Sequence, residues 1–86
     1  MTLEVDYKGV IRLGDKTTHG GVVVQVASVS EIDGRRIARI GDQVTCPRCS
    51  GRHIIVEGEP TYLDDDIPVA LHGHKTSCGA SLISSV

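Results

Sequence analysis

The sequence predicts an all-β protein whose three repeats close around a pseudo-threefold axis. Three observations lead there. A short phrase recurs: Gly14-Asp15-Lys16-Thr17-Thr18-His19-Gly20 returns as Gly73-His74-Lys75-Thr76-Ser77-Cys78-Gly79, with a looser copy at Gly41-Asp42-Gln43-Val44-Thr45-Cys46. Glycine, 10 residues among 86, is spread along the whole chain and punctuates Val- and Ile-rich segments. None of those segments sustains a 3.6-residue apolar period, so no helix longer than a turn is expected.

The spacing between copies is regular. Val22 to Gly41 and Ile54 to Gly73 are both 19 residues, which lays Ile37-Ala38-Arg39-Ile40-Gly41 over Val69-Ala70-Leu71-His72-Gly73. From the repeat glycine to the next strand the step is 8 residues for Gly14 and for Gly73, but 13 for Gly41. The middle repeat therefore carries an insertion within Cys46-Pro47-Arg48-Cys49-Ser50-Gly51-Arg52-His53. Units too small to bury a face alone must stack on one another. Three units favour a closed body, because a linear stack leaves open edges at both ends.

In chain order, Val22 to Val29 alternates as a strand with one buried face. Ile32-Asp33-Gly34 is a turn, since Asp-Gly is a strong hairpin signal. Ile54 to Glu57 reads as a strand, the Asp64-Asp65-Asp66 run as a solvated turn, and Leu82-Ile83 as a closing strand. Arg12 and Arg39 each stand three residues before an Asp in an Arg-x-Gly-Asp phrase. They are expected to fork to carboxylate or carbonyl groups and tie neighbouring repeats together.

Composition sets limits on this body. The sequence reads as one domain spanning residues 1–86, with no Trp, no Phe, and two aromatics, Tyr7 and Tyr62. A chain of this size buries only about 60–65% of its unfolded surface, so a disulfide, a metal or a partner is expected to supplement the core. Three cysteines argue against a closed disulfide framework. Met1-Thr2-Leu3-Glu4-Val5-Asp6 does not read as a secretory leader, and the longest apolar run, Val22-Val23-Val24, is far too short to span a bilayer. A net charge of -2 provides no general attraction to nucleic acid or anionic membrane.

His19, Cys46 and Cys78 fall at the same repeat position, which a closed threefold arrangement would carry toward one axis. Zinc takes four ligands from Cys and neutral His, and a closed structural site would substitute for missing core. The candidate ligands are His19, Cys46, Cys49, His53, His72, His74 and Cys78, of which four at most would bind. Cys46-Pro47-Arg48-Cys49 is half of a zinc ribbon without its second half. It also lacks the βαβ surroundings of a thioredoxin-type pair. No Gly-x-Ser-x-Gly elbow, phosphate loop or His-Glu-x-x-His motif is present, so no catalytic set is expected.

These residues resemble the PAAR-repeat proteins, the tip proteins of the type VI secretion spike. The resemblance runs from about Gly9 to Ser85 and is carried by Ala38-Arg39-Ile40-Gly41-Asp42, Thr18-His19-Gly20-Gly21 and Lys75-Thr76-Ser77-Cys78-Gly79-Ala80 with Leu82-Ile83-Ser84. The tetrapeptide that names the family is poorly kept. Arg36-Ile37-Ala38-Arg39 retains only its last two residues, and Pro68-Val69-Ala70-Leu71 only Pro68 and Ala70. The resemblance implies a small cone of short β hairpins, metal-stabilised at its apex by zinc, with its base on a trimeric VgrG-type spike. It implies three His and one Cys as ligands, carried here onto His19, His53, His74 and Cys78, with His72, Cys46 and Cys49 as rivals. The implied partners are the spike trimer, secreted effectors and, transiently, a target membrane, with no stable homo-oligomer. The implied location is the bacterial cytoplasm before firing and the target cell or medium after it.

Two other classes compete with this reading. A zinc-dependent nucleic-acid module would need a basic face and stacking aromatics, against 9 basic and 11 acidic residues here. A metalloenzyme would need an open coordination position and a general base, for which Glu57 and Glu59 are the nearby carboxylates. The expectation is a structural cap with no catalytic activity.

Overall fold

A computed structural model describes residues 9–86, in which nine short strands and no helix are found. Tyr7 and the opening Met1 to Asp6 lie outside the described residues. The strands are β1 (Lys16–Thr17), β2 (Val23–Gln25), β3 (Glu31–Ile32), β4 (Arg35–Arg36), β5 (Gln43–Thr45), β6 (Arg52–Ile54), β7 (Glu59–Asp64), β8 (Ile67–Val69) and β9 (Leu82–Ile83). All pairings are antiparallel: β1 with β9, β2 with β5 and β5 with β6, β3 with β4, and β7 with β8.

The three repeats close into a ring, and backbone hydrogen bonds show it directly. Ile11 N–H donates to Ala70 O (2.9 Å), Ala70 N–H to Ala38 O (3.0 Å), and Ala38 N–H to Ile11 O (2.8 Å). A second ring joins Leu13 to Arg36 O, Ile40 to Pro68 O, and His72 to Gly9 O. A third joins Thr18 to Ser81 O, Thr45 to Val22 O, and Ser77 to Ile54 O. In each ring every repeat donates to one neighbour and accepts from the other. These rings pair the backbones of neighbouring repeats, which supports strands too short to be stable alone.

Equivalent residues stack in layers along this axis. Val10, Ile37 and Val69 form one cluster, packed by Ile32, Tyr62 and Leu71. Ile11, Ala38 and Ala70 follow, then Val23, Ile55 and Leu82, all at most 1% exposed. The next layer is Thr17, Val44 and Thr76, also buried. A fully buried Val, Leu or Ile contributes about 1.5–3 kcal/mol, and among the described residues this core holds only thirteen buried apolar side chains. The margin is small, as the chain length predicts.

Two hairpin arms leave the ring on the side of the Val10, Ile37 and Val69 layer. β3–β4 turns at Asp33 (φ 52°) and Gly34 (φ 84°), and β7–β8 at Asp65 (φ 55°) and Asp66 (φ 65°). Two consecutive positive φ angles are the mark of a two-residue hairpin turn. The acidic run is more than a solvated turn, because Asp64 accepts hydrogen bonds from Ser28 Oγ (2.6 Å) and Ser30 Oγ (2.7 Å). Arg39 Nη1 donates to the Asp64 carbonyl (2.9 Å) and pairs with its carboxylate (3.2 Å). Arg12 Nη1 donates to Ile32 O (2.9 Å). Both buried arginines thus fasten a hairpin arm to the ring, as their recurrence suggests.

The strand expected over Val22 to Val29 is shorter than its alternation implies. Val22 bridges to Lys16 and Val23–Gln25 pair with β5, but Ala27 N–H turns to Asp42 Oδ1 (3.3 Å) while Ser28 binds Asp64. Pairing within the ring uses the first four residues of that segment, Val22 to Gln25; the remainder leads into the β3–β4 arm. The Ile54 to Glu57 segment is likewise divided. Ile54 ends β6, and Ile55 bridges to Thr76 of the third repeat.

Candidate metal centre

At the end of the axis opposite the arms, each repeat presents its sixth residue. His19 and Cys78 sit in tight turns closed by Gly20 N–H to Thr17 O (3.1 Å) and Gly79 N–H to Thr76 O (3.0 Å). Cys46 begins the insertion, whose first turn is closed by Cys49 N–H to Cys46 O (3.1 Å). That turn points Cys49 back toward the axis.

The result is a cluster of one imidazole and three thiols. Ligand atoms of His19, Cys46, Cys49 and Cys78 all lie within 4.8 Å of one another. His19 Nδ1 is 3.5 Å from Cys46 Sγ and 3.9 Å from Cys78 Sγ. A tetrahedral zinc with bonds of roughly 2.0–2.3 Å separates its ligand atoms by about 3.6–3.8 Å, so these contacts already have tetrahedral dimensions. Cys46 is buried, His19 and Cys78 are half-buried and Cys49 is exposed.

The sulfurs influence one another strongly. Burial opposes ionisation of Cys78, yet hydrogen bonds with Thr76 Oγ1, Cys46, the Ala80 backbone and His19 bring its thiol down to about 6. Hydrogen bonding to Cys46, with desolvation and the nearby charges of Cys46 and Cys78, pushes Cys49 up to about 11. Thiols this close cannot all ionise unaided; a divalent cation among them would stabilise the thiolates together. The cluster has the composition of a closed Cys3His structural site, and it can hold a metal ion.

Of the four residues carried over as ligands, the structure brings His19 and Cys78 together. It does not bring His53 or His74 to them, and Cys46 and Cys49 stand in their places. His53 lies on β6 with both ring nitrogens engaged, Nε2 at 3.2 Å from Ser50 O and Nδ1 at 3.3 Å from Ser77 Oγ. It holds the insertion against the third repeat. His74 Nδ1 accepts the Leu71 N–H at 2.9 Å. His72, the other rival, accepts Ser84 N–H at 3.0 Å, in the layer of Leu13 and Ile40.

The carboxylates considered for an enzyme are also committed elsewhere. Glu57 Oε1 accepts Lys75 N–H at 2.8 Å, and Glu59 Oε2 accepts both the N–H and the hydroxyl of Thr61. Those hydrogen bonds from Thr61 hold Glu59 below the usual carboxylate range. Neither belongs to the cluster.

A protein-family model described as the PAAR motif matches residues 13–84. The match covers all three copies of the repeat and every member of the cluster. No curated protein matches the chain.

Proposed function

Because the chain belongs to the PAAR-motif family, we propose that it caps the trimeric VgrG-type spike of a type VI secretion system. One observation carries the reading beyond family membership. The ring of Ile11, Ala38 and Ala70 gives a single chain threefold backbone symmetry, which suits it to sit on a true trimer. The face toward the trimer is the end that bears the hairpin arms, where Val29 and Leu63 are exposed. The opposite end, with its His and Cys cluster, forms the point.

We assign His19, Cys46, Cys49 and Cys78 to a structural zinc. The metal supplies a cross-link among all three repeats where the apolar layers have run out. His19 contributes Nδ1, and the sulfurs contribute charge. The role is mechanical rather than catalytic: a stiff tip that concentrates force on a target membrane and helps effectors travel with the spike. On this reading the protein resides in the bacterial cytoplasm until firing and leaves with the spike.

The test is to mix the chain with its cognate spike trimer and measure mass by light scattering after size exclusion. One chain per trimer is expected. Free monomer eluting beside an intact trimer would refute the assignment.

A further inference from the structure

We propose that Cys46 and Cys49 form a reversible disulfide that competes with the metal for the same two sulfurs, so that a disulfide oxidant empties the site. The inference rests on the metal assignment above. Three observations support it. Both residues are free thiols in one short segment, and the turn from Cys49 N–H to Cys46 O (3.1 Å) places them on the same side of it. Their sulfurs lie within the 4.8 Å cluster. Cys49 is exposed while Cys46 is 1% exposed, so one sulfur is reachable and the other waits behind it.

That division suits thiol–disulfide exchange. In the loaded chain the cation would hold the Cys49 sulfur as a thiolate; it attacks an external disulfide, forming a mixed disulfide and releasing one thiol. The Cys46 thiolate then attacks Cys49 Sγ, releasing the second. Two electrons pass from the protein sulfurs to the oxidant, which is reduced to two thiols. Only His19 and Cys78 then remain as donors, too few to retain a structural ion. The new bond lies wholly within the insertion of the middle repeat. It closes a very short loop and does not replace the link to the first and third repeats. Oxidation therefore converts a cross-link among three repeats into one within a single repeat. The tip is stiff where thiols stay reduced and loosens where disulfide oxidants act.

The experiment treats the zinc-loaded chain with oxidised glutathione, reads released zinc with a chromophoric indicator, and locates disulfides by peptide mass mapping. Release of about one zinc per chain is expected. It should accompany a Cys46–Cys49 disulfide and be reversed by a dithiol reductant with added zinc. Cys49→His keeps four donors but removes the partner thiol, and should release about a tenth as much or less under the same oxidant. A chain that never carries metal overturns the zinc assignment and this inference together. A loaded chain that keeps its zinc, or releases it with a different disulfide, overturns the inference alone, as does equal release from Cys49→His. Should that variant fail to load, the mapping on the unmodified chain decides.

Discussion

His74 Nδ1 accepts the backbone N–H of Leu71 at 2.9 Å, the bond that Asp15 and Asp42 make to Arg12 and Arg39 at 2.8 Å each. The imidazole thus closes the same turn as the two carboxylates. His74→Asp should keep both stability and bound zinc. His74→Ala leaves the Leu71 amide without its partner and should cost about 1 kcal/mol. Melting curves and metal analysis on both variants check this; zinc lost from His74→Asp would make His74 a ligand after all.

The repeat spacing made the closed ring legible, because equal steps of 19 residues leave no other place for the insertion. It also put His19, Cys46 and Cys78 at one level. The fourth member of the cluster was harder to read. Cys49 and His53 both stand in the insertion, and the choice depends on where the chain reverses. Ser50 (φ 50°) and Gly51 (φ 79°) make that reversal just after Cys49, which leaves the thiol on the axial side and carries His53 onto β6. A non-glycine left-handed residue is not announced by composition. His74 carried a readable signal of another kind: a residue replacing two turn-closing aspartates is expected to close a turn.

Gly21 is irreplaceable for a reason its neighbours do not share. A Cβ there would meet Thr45 O at 1.8 Å, on the strand whose N–H bonds Val22 O in the third ring. The equivalent residue in the last repeat is Ala80, fully buried, so a methyl group is accommodated there. Gly21→Ala must push β5 away and should cost about 3 kcal/mol. For a domain of this size that lowers the melting temperature by more than about 10 °C. An unchanged melt would mean the ring opens more easily between the first two repeats than these bonds indicate.

Removal of a ligand should lower metal content and stability together. His19→Ala, Cys46→Ser, Cys49→Ser and Cys78→Ser each break the four-donor set. Zinc held at 100 times its dissociation constant adds about 2.7 kcal/mol, and that increment should vanish on chelation of the unaltered chain. His53→Ala is the control. It loses the hydrogen bonds to Ser50 and Ser77, about 1 kcal/mol, yet keeps its zinc. Elemental analysis beside thermal melts separates the two behaviours; metal loss from His53→Ala, with Cys49→Ser unaffected, would exchange their roles.

Asp64 gives the acid side of stability a sign that can be tested. Hydrogen bonds from Ser28 and Ser30, and the Arg39 charge, hold its carboxyl below the ordinary 3.8 despite partial desolvation. The folded chain then binds this proton more weakly than the unfolded one. Its contribution is fully present above pH 3.8 and is lost as pH falls through the lower folded value. Asp42 works in the opposite sense, because burial raises its pKa despite hydrogen bonds from Arg39 and Ala27, so the total pH profile mixes the two. Comparison with Asp64→Asn removes Asp42 from the result, since both chains carry it. Urea unfolding near pH 7 should show the variant less stable by about 1.5–3 kcal/mol, the value of a hydrogen bond to a charged acceptor. The gap should narrow as pH falls below 3.8 and through the lower folded value, since protonation makes the Asp64 side chain as neutral as the asparagine. A gap that stayed constant across that range would mean that the arm is held by the Asp64 carbonyl and its Arg39 bond, not by the carboxylate.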